Sequence, residues 1–202
     1  MAITISGSGI TSANIADGTI VNADVADVAA SKLTGALPAI DGSALTNLSA
    51  GKVLQVLSTN KTSTFTTTSA SFVDVTGLSV SITPSSASSK IVVFLTTHIA
   101  NTTSTATSNV RLMRDAIPIS VGVADGNRIA STGEFGGTWD GAVYHIGANY
   151  LDSPNTTSAI VYKLQLTTQS GFTATLNRAG VDNDYVNTGR YASNITVMEI
   201  GA

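Results

Sequence analysis

From residue 51 onward the apolar positions fall into short runs separated by turn signals. The runs are KVLQVLS (52–58), TSTFTTT (62–68), SFVDVTG (71–77), LSVSITP (78–84), KIVVFLTTHIA (90–100) and NVRLMRD (109–115). They continue with AIPISVG (116–122), GAVYHIGANY (141–150), AIVYKLQLTT (159–168), GFTATLN (171–177) and ASNITVMEIG (192–201). In LSVSI the alternation is clean, which puts Leu78, Val80 and Ile82 on one face of a strand; NITVMEI likewise aligns Ile195, Val197 and the side chain of Glu199. Thr, Val and Ile dominate these runs, and branched side chains suit a pleated surface. Eight to ten short strands over residues 51–202 predict an antiparallel β-sandwich or jelly roll. Pro84, Pro118 and Pro154 are expected at strand ends or on edge strands, because proline cannot donate to a ladder.

The first fifty residues follow another rule. Ile10, Ile15, Ile20 and Val25 stand five apart, a period that is neither the 3.6 of a helix nor the 2 of a strand. The steps ANIAD, GTIVN and ADVAD place one aliphatic among small and polar residues, as in a chain that turns a corner at each step. Three or four such steps are too few to cap themselves, so the pattern predicts a thin stem wound with other copies of the chain. Pro38 and Asp41-Gly42 then mark turns before the sandwich begins. The expected organisation is a stem or anchor over 1–50 and a head over 51–202.

Composition sharpens that division. Every aromatic residue lies beyond residue 50, the first being Phe65. Residues 1–50 hold four aspartates (Asp17, Asp24, Asp27 and Asp41) against Lys32, so the chain's formal net charge of -3 resides there and the head balances. A segment of fifty residues without an aromatic cannot bury enough surface alone, and neither cysteine nor a metal motif is present to staple it. An acidic balance argues against nucleic acid, which calls for clustered Lys and Arg. The longest apolar run, IVVFL at 91–95, is far short of the ~20 residues a membrane-spanning helix requires. Residues 1–9, MAITISGSG, lack the basic start and apolar middle of a signal peptide.

Several stretches resemble known modules. LPAIDGSALTNLSAGKVLQV, followed by STNKTSTFTTTSASFVDVTGLSVSITPSSASSKIVV, is similar to modules of bacteriophage fibre proteins, notably those of marine phages. The closing NITVMEIGA and the opening ITSANIADGTIVNADVADVAASKLTG are similar to the ends of such chains. The resemblance implies a virion fibre (on tail or head) or decoration protein, made in the host cytoplasm, homotrimeric, with a jelly-roll head like the tumour-necrosis-factor fold. It implies attachment to other virion proteins through residues 1–50 and contact with the host surface by the head.

Enzymatic chemistry finds little purchase. His98 and His145 are the two histidines, and neither has an acid or serine at motif spacing. Glu134 and Asp140, flanking Trp139 in GEFGGTWDGA, are the nearest match to a glycosidase carboxylate pair, which keeps a small polysaccharide-degrading spike as the third reading. Asp182 and Asp184 in VDNDY supply oxygen ligands but read as turn residues. No catalytic site, metal or cofactor is expected. Ligand recognition is the stronger rival to a purely structural role: two loops, ADGNRIASTGEFGGTWDGA (124–142) and NRAGVDNDYVNTGRY (177–191), carry stacking and hydrogen-bonding groups on a rigid scaffold. Arg128, Glu134, Trp139 and Asp140 on the first, and Arg178, Tyr185 and Arg190 on the second, are the candidate contacts for a host surface glycan. The plainer reading has Trp139 and Phe135 filling the core or a trimer interface.

Overall fold

A computed structural model describes residues 52–136 and 142–201. The five-residue steps at Ile10, Ile15, Ile20 and Val25, like the rest of the expected stem, lie outside the described residues, as do Trp139 and Asp140. Among the described residues there are eleven strands and no helix. They are β1 (Val53–Lys61), β2 (Phe65–Thr67), β3 (Val73–Ile82), β4 (Lys90–Asn101), β5 (Thr107–Arg114), β6 (Ile117–Ile119), β7 (Gly133–Gly136), β8 (Tyr144–Asp152), β9 (Ile160–Thr168), β10 (Ala174–Leu176) and β11 (Ser193–Ile200).

All strand pairings are antiparallel and form two sheets. The first runs β1-β11-β4-β10-β2, with β8 also on β4; the second runs β3-β9-β5-β6, with β7 also on β5. The pairs are nested along the chain: β1 with β11, β3 with β9, β4 with β8, and β5 with β6 and β7. Successive long strands alternate between sheets, as in one long hairpin rolled over on itself. That is a jelly roll. A jelly-roll sandwich therefore forms from the patterned runs, as their alternation predicts.

The core lies between the sheets. Leu78, Val80 and Ile82 of β3 face Ile91, Val93 and Leu95 of β4, Leu164 and Leu166 of β9, and Ile195 and Val197 of β11 in one buried cluster. Phe135 and Tyr162 are its buried aromatics, so branched aliphatics do most of the filling. Phe135 thus has the core role that its apolar character predicts.

Two elements differ from the run-by-run reading. SFVDVTG and LSVSITP are one strand, β3, whose register against β9 shifts between Asp74 and Ser79. Val75 and Leu78 are both buried although their parity is opposite. Five steps along β3, from Asp74 to Ser79, oppose two along β9, from Gln165 to Lys163, so the strand absorbs three extra residues there, and Gly77 at φ 79° supplies the bend. The stretch 124–142, read as a projecting glycine-rich loop, contains β7 at Gly133–Gly136, paired with β5. Glycines disguise it. Gly133 lies so close to β8 that an added Cβ would sit 2.7 Å from Ile146 Cγ2, so only a residue without a side chain brings β7 this near.

Candidate functional site

The loop 177–191 leaves β10 and returns to β11. Its base is clamped by Asn177, a fully buried residue at φ 64°. The Asn177 amide donates to the carbonyls of Lys61 and Ser63 at 2.7 and 3.1 Å, and its oxygen accepts from Ser193 Oγ at 2.6 Å. Arg178 and Arg190 face each other in an antiparallel bridge just above. Between them stands Asp182, which accepts from Arg190 and lies 4.0 Å from Arg178 Nε. The Arg190 guanidinium holds the Asp182 carboxyl below the usual range, and the carboxylate in turn raises the arginine. Arg178 also donates to the carbonyls of Ala179 and Gly180. Asp182 is thus an ion-pair partner of two arginines rather than an open cation ligand.

Beside the loop, the start of β8 forms the other wall of a cleft of about 840 Å³. Ala142, Val143 and Tyr144 line one side; Tyr185, Asn187, Thr188 and Tyr191 are among the residues on the other. Tyr185 is 70% exposed, whereas the Tyr191 ring stacks on His98 with centroids 5.1 Å apart. Gly189 fits under Tyr191 because it lacks a side chain: a Cβ there would meet the ring at 2.9 Å. A smaller depression of about 250 Å³ adjoins Arg190, Asp184 and Tyr185.

His98 and His145 are directly opposite on β4 and β8, with ring centroids 5.3 Å apart. His98 Nδ1 lies 3.0 Å from the Ala192 carbonyl, which orients the ring. Among the described residues no carboxylate forms an ion pair with either histidine, and no three His, Cys, Asp or Glu side chains come together as metal ligands do.

Of the sequence candidates, Arg178, Tyr185 and Arg190 share this loop, and Tyr185 lines the cleft itself. Arg128 pairs with Asp125 in an exposed turn, and Glu134 lies on β7 opposite Asn109; neither lines the cleft. The sequence reading missed Tyr144, Tyr191, Asn183 and Asn187. Tyr144 read as one more residue of a strand, and no pattern along the chain links it to a loop some forty residues later.

Against known proteins, no family model and no curated protein sequence matches this chain. Solved structures similar to it in part include two of one virus. The structure of the infectious bursal disease virus Gx strain is 14% identical, covers 81% of this chain and 46% of its own, and has a TM-score of 0.37. That of the Gt strain is 11% identical, with 72% and 40% covered and a TM-score of 0.36. The match thus spans less than half the length of either viral chain. No functional reading rests on a likeness this distant.

Proposed function

We propose that this chain is a structural virion protein: a homotrimeric fibre whose sandwich is the projecting head and whose residues 1–50 attach it to other virion proteins. The observation that carries the assembly is the outward face of the first sheet. Val56, Met198, Val92 and Leu151 stand directly opposite one another across β1, β11, β4 and β8, forming one apolar row over four strands. Val53 and Ile200 extend it on one side, and Phe94 on the other. Val53, Val56 and Leu151 are 51, 53 and 60% exposed. The outward face of the second sheet is different in kind, with Asp74 accepting from Lys163 and Gln165, and Arg111 lying over the Phe72 ring.

The occupant that fits is a second copy. The row carries no charge except Lys90 at one corner, beside Ile200, and on the opposite side a neutral rim of Ser58, Thr196 and Asn149 begins. Four strands ~4.8 Å apart and nine residues long at ~3.3 Å present roughly 500 Å² of flat face. That is the order of the ~800 Å² per partner that specific interfaces bury. Packing several heads through this face also relieves a core built mainly of medium-sized aliphatics. The fibre assignment itself draws on the resemblance of residues 10–95 and 194–202 to phage fibre modules.

Light scattering of the full chain tests it. A mass three times 20.5 kDa is expected, with Met198→Asp and Val92→Asp giving folded monomers and Ser79→Asp, on the other sheet, leaving the trimer intact. A monomeric wild-type chain overturns the assembly. Absence of the chain from labelled, purified particles overturns the virion role.

A further inference from the structure

We infer that the cleft between the start of β8 and the loop 177–191 is a binding site for a neutral saccharide. It goes beyond the assembly proposed above and does not depend on it.

The wall chemistry selects the ligand class. Tyr185, 70% exposed, offers its ring to the cleft, and an aromatic face packs against the C–H face of a sugar ring. Tyr144 and Tyr191, whose rings pack on Phe135 and His98, complete the aromatic lining. Asn183, Asn187 and Thr188 interleave with them, and their side chains make no hydrogen bond to other described residues. Each amide offers two donors and an acceptor, the complement of adjacent sugar hydroxyls, which both give and receive. A cleft of about 840 Å³ falls within the ~300–1,000 Å³ of small-ligand sites.

The charge arrangement excludes an acidic sugar. Arg178 and Arg190 are the cations nearest in sequence: Arg190 donates to Asp182, while Arg178 donates to the Ala179 and Gly180 carbonyls and lies 4.0 Å from the same aspartate. An incoming carboxylate would have to displace that aspartate and would then meet Asp184 beside Arg190. A neutral ring meets no such cost. The walls are also held in place before any ligand arrives. Asn177 anchors the loop's base, the Thr188 N–H donates to the Tyr185 carbonyl at 2.9 Å, and Tyr191 is fixed between Gly189 and the His98 ring. The apolar row at Val92 lies six residues away along β4, about 20 Å at the rise of a strand, so the cleft and the apolar face are separate surfaces.

Saturation-transfer NMR on the full chain, with methyl glycosides of glucose, galactose and N-acetylglucosamine, tests this. At least one should bind in roughly the millimolar range, with N-acetylneuraminate and glucuronate weaker by about tenfold or more. Tyr185→Ala and Asn187→Ala change exposed side chains and should each weaken the neutral ligand about tenfold at unchanged thermal transition. Gly189→Ala, by pushing the Tyr191 ring aside, should do the same, while Arg128→Ala leaves binding unchanged. No saturation transfer from any neutral saccharide at roughly 50 mM overturns the inference. So does binding that survives both Tyr185→Ala and Asn187→Ala, or an acidic sugar binding best. The oligomer mass, measured on the same samples, reports separately on the assembly.

Discussion

The main-chain N–H and the hydroxyl of Ser85 both donate to one carboxylate oxygen of Glu199, each at 2.7 Å. The other oxygen accepts from Gln55 Nε2 at 2.6 Å, and the same amide reaches the Thr83 carbonyl at 2.8 Å. A fully buried glutamate at the end of β11 thereby ties the β3–β4 turn to the edge strand β1. Burial opposes the charge, but the bonds from Ser85 and Gln55 outweigh it and hold the carboxyl at about 2, against an ordinary value of 4.5.

A pH dependence follows from that difference. The folded state binds this proton more weakly than the unfolded chain, so the contribution of Glu199 is complete above about 4.5 and is lost as pH falls toward 2. Thermal unfolding of the wild type should drop across this window. Glu199→Gln should be less stable at pH 7 and flatter between pH 5 and 2; an unchanged profile in the variant would assign the acid loss to other carboxylates.

Asp152 joins the two sheets at the end of β8. Arg114 Nη1 donates to both its oxygens at 2.8 and 2.9 Å, and the Tyr162 hydroxyl donates at 2.6 Å. Burial, then the bond to Asp152, pushes the Tyr162 phenol well above its ordinary range, so it stays a donor at any working pH. Asp152→Ala should cost about 3–5 kcal/mol, because it strands a mostly buried guanidinium, and Tyr162→Phe about 1 kcal/mol. The double variant should cost less than the sum, since both changes act on one network. Urea denaturation of the four chains measures the coupling.

Gly133→Ala should destabilise by about 1–3 kcal/mol through overpacking against Ile146. The cause is specific enough to be reversed. Ile146→Ala is itself destabilising, but the pair should be closer in stability to Ile146→Ala alone than additivity predicts. An additive pair would mean that β7 can move away from β8 freely.

The five-residue register outside the described residues carries its own expectation. Ile20→Asp should abolish ordered assembly of the N-terminal segment and lower the trimer content, because three like charges would meet with no partner, whereas Thr19→Asp, one position off the register, should be tolerated. Native mass spectrometry of the two full-length variants separates the cases; equal tolerance would make the spacing an accident of composition.

Period alone was enough for the strands. Leu78, Val80 and Ile82, like Ile195, Val197 and Glu199, alternate over a span too short for any neighbour to alter, and each faces the core as the pattern demands. The all-β class and the proline positions were legible for the same reason: they depend on what the local backbone tolerates. β7 was not legible, because its glycines are there for a close approach to Ile146 that only the folded sandwich creates. Nor was the apolar row. Val56, Val92, Leu151 and Met198 each look like an ordinary strand residue, and only the registers of β1, β11, β4 and β8 align them on one outward face. The cleft is the extreme case: Tyr144 and Tyr191 belong to distant parts of the chain, joined because jelly-roll closure sets β8 and β11 on either side of β4. Local periodicity dictates which face of a strand is buried, whereas pairing order across the sheet dictates which side chains become neighbours, and the sites of this protein depend on the second.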